Sequence, residues 1–400
     1  MAISLVHDAT EYFLDEGSPV FMCGLDVEGA FDAIPHPVLF IKTMSVIPDM
    51  SWRLLYAWYT HMTGQIKWNV IGKTIKVCKG TRQGGLTSPF IFNIFYQDLI
   101  DELASQEGGL TICDKKFKVF CYADDILLSS VTVTGLQRLI DTKVRYVSLH
   151  GLRFGPDKSE CIINGENPFV TDPQWYVDNE KIKVKANIEY LGAILGNNGG
   201  YKHVEKREKK CRNAFYDLQG AGLCNEGLNI KTSVHVWTAT CESILTYGCS
   251  SLFLDRTCFN VLDKTHDRYV KCLIGLGPYY RTTPLLNALK MQKISHKINV
   301  NGIALYNNIL RSSSAASTFY KLLRMKNRCP RLLHKRVMDI CCDFNLKFEN
   351  VMLCKSYVQS IKSDMLRRYE NNGHADSIRW LLQHRNQHST ALLKLLLKAF

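Results

Sequence analysis

Hydrophobic and polar positions change rhythm several times along the chain. Residues 18–27, SPVFMCGLDV, are a short apolar run ending in Asp26, and they predict a buried strand. Residues 28–44 read as a turn into a helix that Pro35 and Pro37 break or restart. Residues 51–62 are aromatic and helix-like, and 64–80 alternate with period two around Gly72, which predicts a hairpin turning there. A glycine turn at 81–85 then leads into an amphipathic helix with Phe92, Phe95, Leu99 and Leu103 on helical spacing. Ser88 followed by Pro89 suits the N-cap and first position of that helix. A strand pair is predicted across 119–130, a helix over 135–149, a turn into a strand over 150–164, and two short strands over 182–196. From 201 onward the pattern becomes helical and basic, which sets a boundary near 200.

The strand pair at 119–130, VFCYADDILLSS, contains a chemical problem. Asp124 and Asp125 stand side by side between apolar runs. Adjacent carboxylates repel and lose hydration there, unless they sit in a solvated turn or are neutralised by a cation. Both readings stay open on this stretch alone.

Charge changes the picture next. Residues 1–200 carry 18 Lys+Arg against 23 Asp+Glu, while 201–400 carry 32 against 14. An acidic front half suits carboxylates gathered around cations. A basic back half suits a polyanion, most simply nucleic acid, or is a solvated helical surface. The basic clusters are KREKK at 206–210 with Arg212, and RMKNR at 324–328. The 15 cysteines are scattered with no CxxC pair, which argues against a zinc finger or a disulfide framework and for reduced thiols. No secretory leader pattern and no run of 18 apolar residues is seen, so the expectation is an intracellular protein of nucleus or cytoplasm with no membrane partner.

Two-metal phosphoryl transfer uses carboxylates from strands that are neighbours in space, holding two divalent ions ~3.5–4 Å apart. Mg²⁺ prefers carboxylate oxygen. An antiparallel sheet that sets the strand ending at Asp26 beside the Asp124–Asp125 pair, backed by the helices 85–104 and 135–149, would satisfy this.

GLDVEGAFD (24–32), TRQGGLTSPFIFNIFY (81–96), CYADDILL (121–128), GLRFGPDKSE (151–160) and EYLGAIL (189–195) occur in that order. Together they resemble the palm motifs of reverse transcriptases, closest to those of non-LTR (LINE-type) retrotransposons. The resemblance covers roughly 18–200 and extends weakly to about 290, where ILTYGCSSLFL is similar to the family's thumb segment. It implies an α+β fold: a polymerase palm with partial fingers and a primer-grip hairpin over 1–200, a helical thumb over 201–290, and a basic helical C-terminal region over 291–400. It also implies an RNA-directed DNA polymerase extending a DNA primer on an RNA template from dNTPs, with two Mg²⁺ ions or Mn²⁺.

Roles carry over by position. Asp26 and Asp124 would hold the ions, with the Val27 carbonyl as a further ligand and Asp125 as a weaker or outer one. Phe31 would pack under the incoming sugar and exclude a 2′-hydroxyl, or is a core phenylalanine. Arg82, Gln83 and Gly84 would lie beside the incoming nucleotide and template, and Lys158 would be a general acid near the leaving pyrophosphate or a surface lysine. Tyr122, Tyr190, Leu191 and Gly192 would contact the primer or template, with Tyr190 and Leu191 alternatively core.

The chain departs from the family in front of Asp26, where the family has a fingers region with basic residues that hold the triphosphate; here the first Lys or Arg is Lys42. That implies a 5′-truncated element or a fragment, and a poor polymerase. Two rivals remain: an impaired retroelement remnant that only binds nucleic acid, and an RNA-dependent RNA polymerase. The second would usually carry Gly-Asp-Asp at the turn and a small polar residue near Phe31.

Overall fold

The computed structural model describes residues 1–82, 84–112, 115–155, 159–165, 172–224, 228–312, 317–321 and 329–343. Gln83, Lys158 and the RMKNR cluster therefore lie outside the described residues. The chain divides into two units. One is Tyr12–Leu191 with Ala2; the other is Met1, Ile3–Glu11 and the chain from Gly192.

The first unit is built on a five-stranded sheet. Its strands are β1 (Val20–Gly24), β2 (Val119–Tyr122), β3 (Asp125–Ser130), β4 (Glu160–Asn164) and β5 (Lys183–Lys185), in the order β5-β4-β1-β3-β2. β1 is central because Val20, Phe21, Met22 and Cys23 bury both faces. It runs antiparallel to β3, from Phe21↔Ser130 to Gly24↔Leu127, and to β4, from Val20↔Asn164 to Gly24↔Glu160. β5 joins β4 in parallel, so the sheet is mixed rather than purely antiparallel as the sequence suggests. The connection from Asn164 to Lys183 is long enough to return the chain in the same direction.

Two helices back the sheet. Ser88–Ser105 buries Phe92, Phe95, Leu99 and Leu103, and Val133–Leu149 buries Leu136, Leu139, Ile140 and Val147, all in one core with Phe21 and Leu128. The second helix starts on Thr132, whose hydroxyl accepts the Gly135 N–H at 3.1 Å. Lys42 is also tied into this unit. Its ammonium reaches the Phe95 carbonyl (3.0 Å), the Tyr146 hydroxyl (2.7 Å) and Asp98 (2.8 Å).

Two local expectations are corrected. The 64–80 hairpin turns at Asn69, with Lys67↔Ile71 and Thr63↔Lys76 paired about it, not at Gly72. Asn tolerates the positive φ of 35° found there. Gly72 instead bonds across to the Ile66 carbonyl, to which a Cβ would come within 3.1 Å. Nor does Ser88 cap its helix. The N-cap is Thr87, and the Ser88 hydroxyl donates to the Arg82 carbonyl at 2.6 Å, closing the loop before the helix.

The second unit is helical. Its main helices are Gly199–Gly220, Ile230–Trp237, Arg256–Leu273, Ile294–Arg311 and Leu333–Asp343, around a core that includes Phe215, Trp237 and Tyr269. Residues 3–11 belong to it: Asp8, fully buried, accepts the Leu333 N–H at 3.0 Å, and His7 accepts the Phe253 N–H at 3.2 Å. Within the 206–210 cluster, Arg207 is buried, donates to the Gly192 carbonyl and lies over the Tyr247 ring, so its charge is committed inside the unit. Lys209, Lys210 and Arg212 are exposed.

Candidate metal centre and nucleotide site

Asp26 stands two residues beyond the end of β1. The Gly155 N–H donates to the Asp26 carbonyl at 3.0 Å and the Glu28 N–H to the Arg153 carbonyl at 2.9 Å, with Val27 bridged to Phe154. The main chain carrying Asp26 and Val27 is thereby fixed as an extension of the β1–β4 pairing.

The β2–β3 connection is tight. Tyr122 pairs with Asp125, so Ala123 and Asp124 are the turn and Asp125 is already the first strand residue. Because β3 pairs with β1, the turn arrives beside Asp26. Asp26, Asp124, Asp125, Glu160 and Tyr190 line one cavity of about 250 Å³. Glu160 is ion-paired with Lys185. Asp125 accepts the Leu191 N–H at 3.4 Å. Partial burial raises its carboxyl above the usual range; the Leu191 N–H opposes this, the Asp124 charge adds to the rise, Lys143 opposes it and Asp26 adds to it. The buried Tyr96 phenol is held protonated by burial and then by the Asp124 charge. Among the described residues no group of three or more His, Cys, Asp or Glu stands ready to hold a metal.

Ala123 has φ 55°. A non-glycine residue in the left-handed region is strained by roughly 1–2 kcal/mol. Ala123→Gly is expected to raise stability by about 1 kcal/mol, measured by denaturant unfolding followed by circular dichroism. A loss of stability would show that the turn does not hold Ala123 in that conformation.

The neighbouring elements organise around Phe31. Its ring stacks on Phe92 (centroids 4.0 Å, 19°), which stacks on Tyr96 (4.7 Å, 25°). The Thr81 N–H donates to the Phe31 carbonyl at 2.7 Å. Gly80, at φ 87°, makes the close approach possible, since a Cβ there would sit 2.7 Å from the Asp32 carbonyl oxygen. The loop carrying Arg82 and Gly84 is thus tied to the residue before Asp32. Arg82 is exposed, with its guanidinium 5.7 Å from the Trp58 ring centre, and Gly84 has φ 74°.

The remaining positions differ in setting. Tyr122 is exposed, while Tyr190 is buried with its hydroxyl donating to the Phe120 carbonyl at 3.2 Å. Leu191 and Gly192 turn the chain with φ 49° and 74°. Gly192 belongs to the second unit, where a Cβ would lie 3.2 Å from an Arg207 nitrogen.

Sequence reading passes over Lys143. It is fully buried in the Val133–Leu149 helix, and its ammonium donates to the Leu25 carbonyl at 2.6 Å. Burial pulls its pKa down to about 8, against the upward pull of Cys23, Cys121, Asp125 and Asp26. The signal was available: Lys143 falls on the apolar stripe of Leu136, Leu139, Ile140 and Val147.

A mixed sheet backed by two helices, with an acidic cavity at one end of its central strands, is the palm architecture of template-directed polymerases. The family model described as "Reverse transcriptase (RNA-dependent DNA polymerase)" matches residues 3–195. Those residues match a reverse transcriptase domain and are similar to proteins of LINE-type, non-LTR retrotransposons. The "Retrovirus-related Pol polyprotein from type-1 retrotransposable element R2" of Popillia japonica is 29% identical over 189 residues, covering 44% of this chain and 27% of that protein. The "RNA-directed DNA polymerase from mobile element jockey" of Drosophila funebris is 20% identical over 289 residues, covering 69% of this chain and 31% of that protein. The chain thus spans about a third or less of either relative. Among solved structures, apo telomerase from Candida tropicalis covers 95% of this chain and 55% of its own at 9% identity and a TM-score of 0.39. No helix among the described residues is long and apolar enough to cross a membrane.

Proposed function

We propose that this chain is the RNA-directed DNA polymerase module of a retrotransposon, extending a DNA 3′ end on an RNA template from dNTPs. The observation that carries the reading is that Asp26 and Asp124, 98 positions apart in sequence, line one cavity at the ends of paired strands. Reverse transcriptase domains use divalent metal ions, and the hard carboxylate oxygens here suit two Mg²⁺, with Mn²⁺ as a substitute. Mg²⁺ binds through one or two carboxylates plus substrate phosphates, so the lack of a three-residue cluster among the described residues is compatible with it. When bound, such ions stabilise the attacking and leaving oxygens of an in-line displacement.

The chain's own residues divide the remaining work. Asp26 and Asp124 hold the ions, the Val27 carbonyl adds a ligand, and Asp125 stays at the margin on the Leu191 N–H. Phe31, buttressed by Phe92, closes the space a 2′-hydroxyl needs. Arg82 and Gly84 border the nucleotide and template, and the roles of Gln83 beside them and of Lys158 as general acid to the leaving pyrophosphate rest on the resemblance alone. Tyr122, Tyr190, Leu191 and Gly192 form the primer side, Tyr190 from beneath. The helical unit acts as a thumb to about residue 290, and its exposed Lys209, Lys210 and Arg212 meet phosphate.

The test is primer extension by the purified chain on an RNA template, with Mg²⁺, with Mn²⁺ and with chelator. Metal-dependent incorporation of dNTPs is expected. RNA binding without it would leave a binding module, and incorporation of ribonucleotides alone would indicate an RNA-dependent RNA polymerase. Binding of the whole chain to RNA is expected to weaken steeply with salt. If about five phosphates are neutralised, log affinity should fall against log salt with a slope of roughly −3 to −4. A flat plot would mean that the basic half is only a solvated surface.

A further inference from the structure

We propose that Lys143 is a fixed counter-charge beneath the acidic cavity, holding the carboxylates together before a divalent ion arrives and setting how tightly the ion binds. The inference rests on the reading that Asp26 and Asp124 hold such an ion.

The position is costly for a lysine. Its neighbours on the helix face are Leu136, Leu139, Ile140 and Val147, and the side chain has no exposure. Lysine is almost never fully buried unless it is paired. Here the ammonium bonds to a main-chain carbonyl, that of Leu25, the residue before Asp26. The carboxylates that pull its pKa upward against burial are Asp125 at the start of β3 and Asp26. A neutral donor would satisfy the Leu25 carbonyl equally well. What the ammonium adds is positive charge in a poorly screened interior, under carboxylates that otherwise repel one another.

That charge acts in two ways. Without a metal it offsets the negative charge of Asp125 and Asp26, which otherwise repel. A divalent cation entering the cavity meets the same charge with the opposite sign of interaction. Ammonium and cation therefore oppose each other, and by linkage each weakens the other's hold on the site. The arrangement keeps the carboxylates assembled yet releases ions readily.

The experiment is a Mn²⁺ titration of the intact chain, reading free Mn²⁺ by electron paramagnetic resonance, with thermal unfolding measured with and without Mn²⁺. Lys143→Gln keeps a donor for Leu25 but removes the charge, and Lys143→Met removes both. Both are expected to bind Mn²⁺ tighter, on the order of tenfold, and to gain more thermal stability from it than the parent. Lys143→Gln with unchanged or weaker affinity overturns the proposal and leaves Lys143 a purely structural donor. Variants that fail to fold even at saturating Mn²⁺ also overturn it, because an ion must be able to replace the ammonium. Asp124→Asn is titrated alongside. If it binds Mn²⁺ like the parent, the carboxylate site itself is wrong, which is a different failure from that of Lys143.

Discussion

Asp124→Asn is expected to fold as the parent does and to lose RNA-templated incorporation by about 10²–10³ or more. Asp124 occupies the exposed β2–β3 turn, so its replacement removes no core contact and relieves repulsion with Asp125. The chemistry is the sensitive part. Phosphoryl transfer depends on positioning and charge stabilisation, and a neutral amide is a poor substitute for a carboxylate as ligand. Asp26→Asn is expected to match it in activity. Single-nucleotide extension rates, measured beside thermal melts, check both together. Full incorporation by either variant would remove the two-ion reading.

Phe31→Ala is expected to change which sugar is accepted rather than whether DNA is made. The Phe31 ring is held face to face on Phe92, and Phe92 on Tyr96, so it has little room to swing aside. Forcing one extra atom into a packed contact costs about 1–3 kcal/mol, or roughly 10–10²-fold in discrimination. Alanine removes the obstacle, so ribonucleotide incorporation should rise by that factor while deoxynucleotide use stays largely intact. The two sugars are compared side by side in extension assays. An unchanged ratio would make Phe31 a core residue only.

Where the hydrophobic rhythm was regular, the sequence was readable. The run that ends at Asp26, the strands around Asp124 and Asp125, and the stripe of Phe92, Phe95, Leu99 and Leu103 all point to the observed elements. The adjacency expected for the strands that carry Asp26 and the Asp124–Asp125 pair is the observed β1–β3 pairing. Features set by single polar bonds were not readable. Nothing in the 64–80 alternation distinguishes Asn69 from Gly72 as the turn, since both residues suit one. Ser88 has cap-like sequence context, but a carbonyl six residues back claimed its hydroxyl. Lys143 was hidden for another reason: its helix is obvious, and its partner Leu25 lies 118 positions away. Arg207 shows the same limit, since charge counts cannot separate a solvated cation from one turned inward on Gly192.

The membership of Ile3–Glu11 in the helical unit bears on the order in which the molecule is assembled. During synthesis the strands and helices of 12–191 emerge together and contain their own partners, so they can condense early. Asp8 and His7 emerge before that unit but bond to Leu333 and Phe253, which appear hundreds of residues later. The helix that carries them, Ala2–Asp15, must wait for those partners, which is a long loop to close. For the same reason, cutting at the apparent boundary near 200 does not yield a self-sufficient back half. Such a piece would lack the carboxylate that receives the Leu333 N–H and would carry an unfilled seam where Ile3–Glu11 belongs.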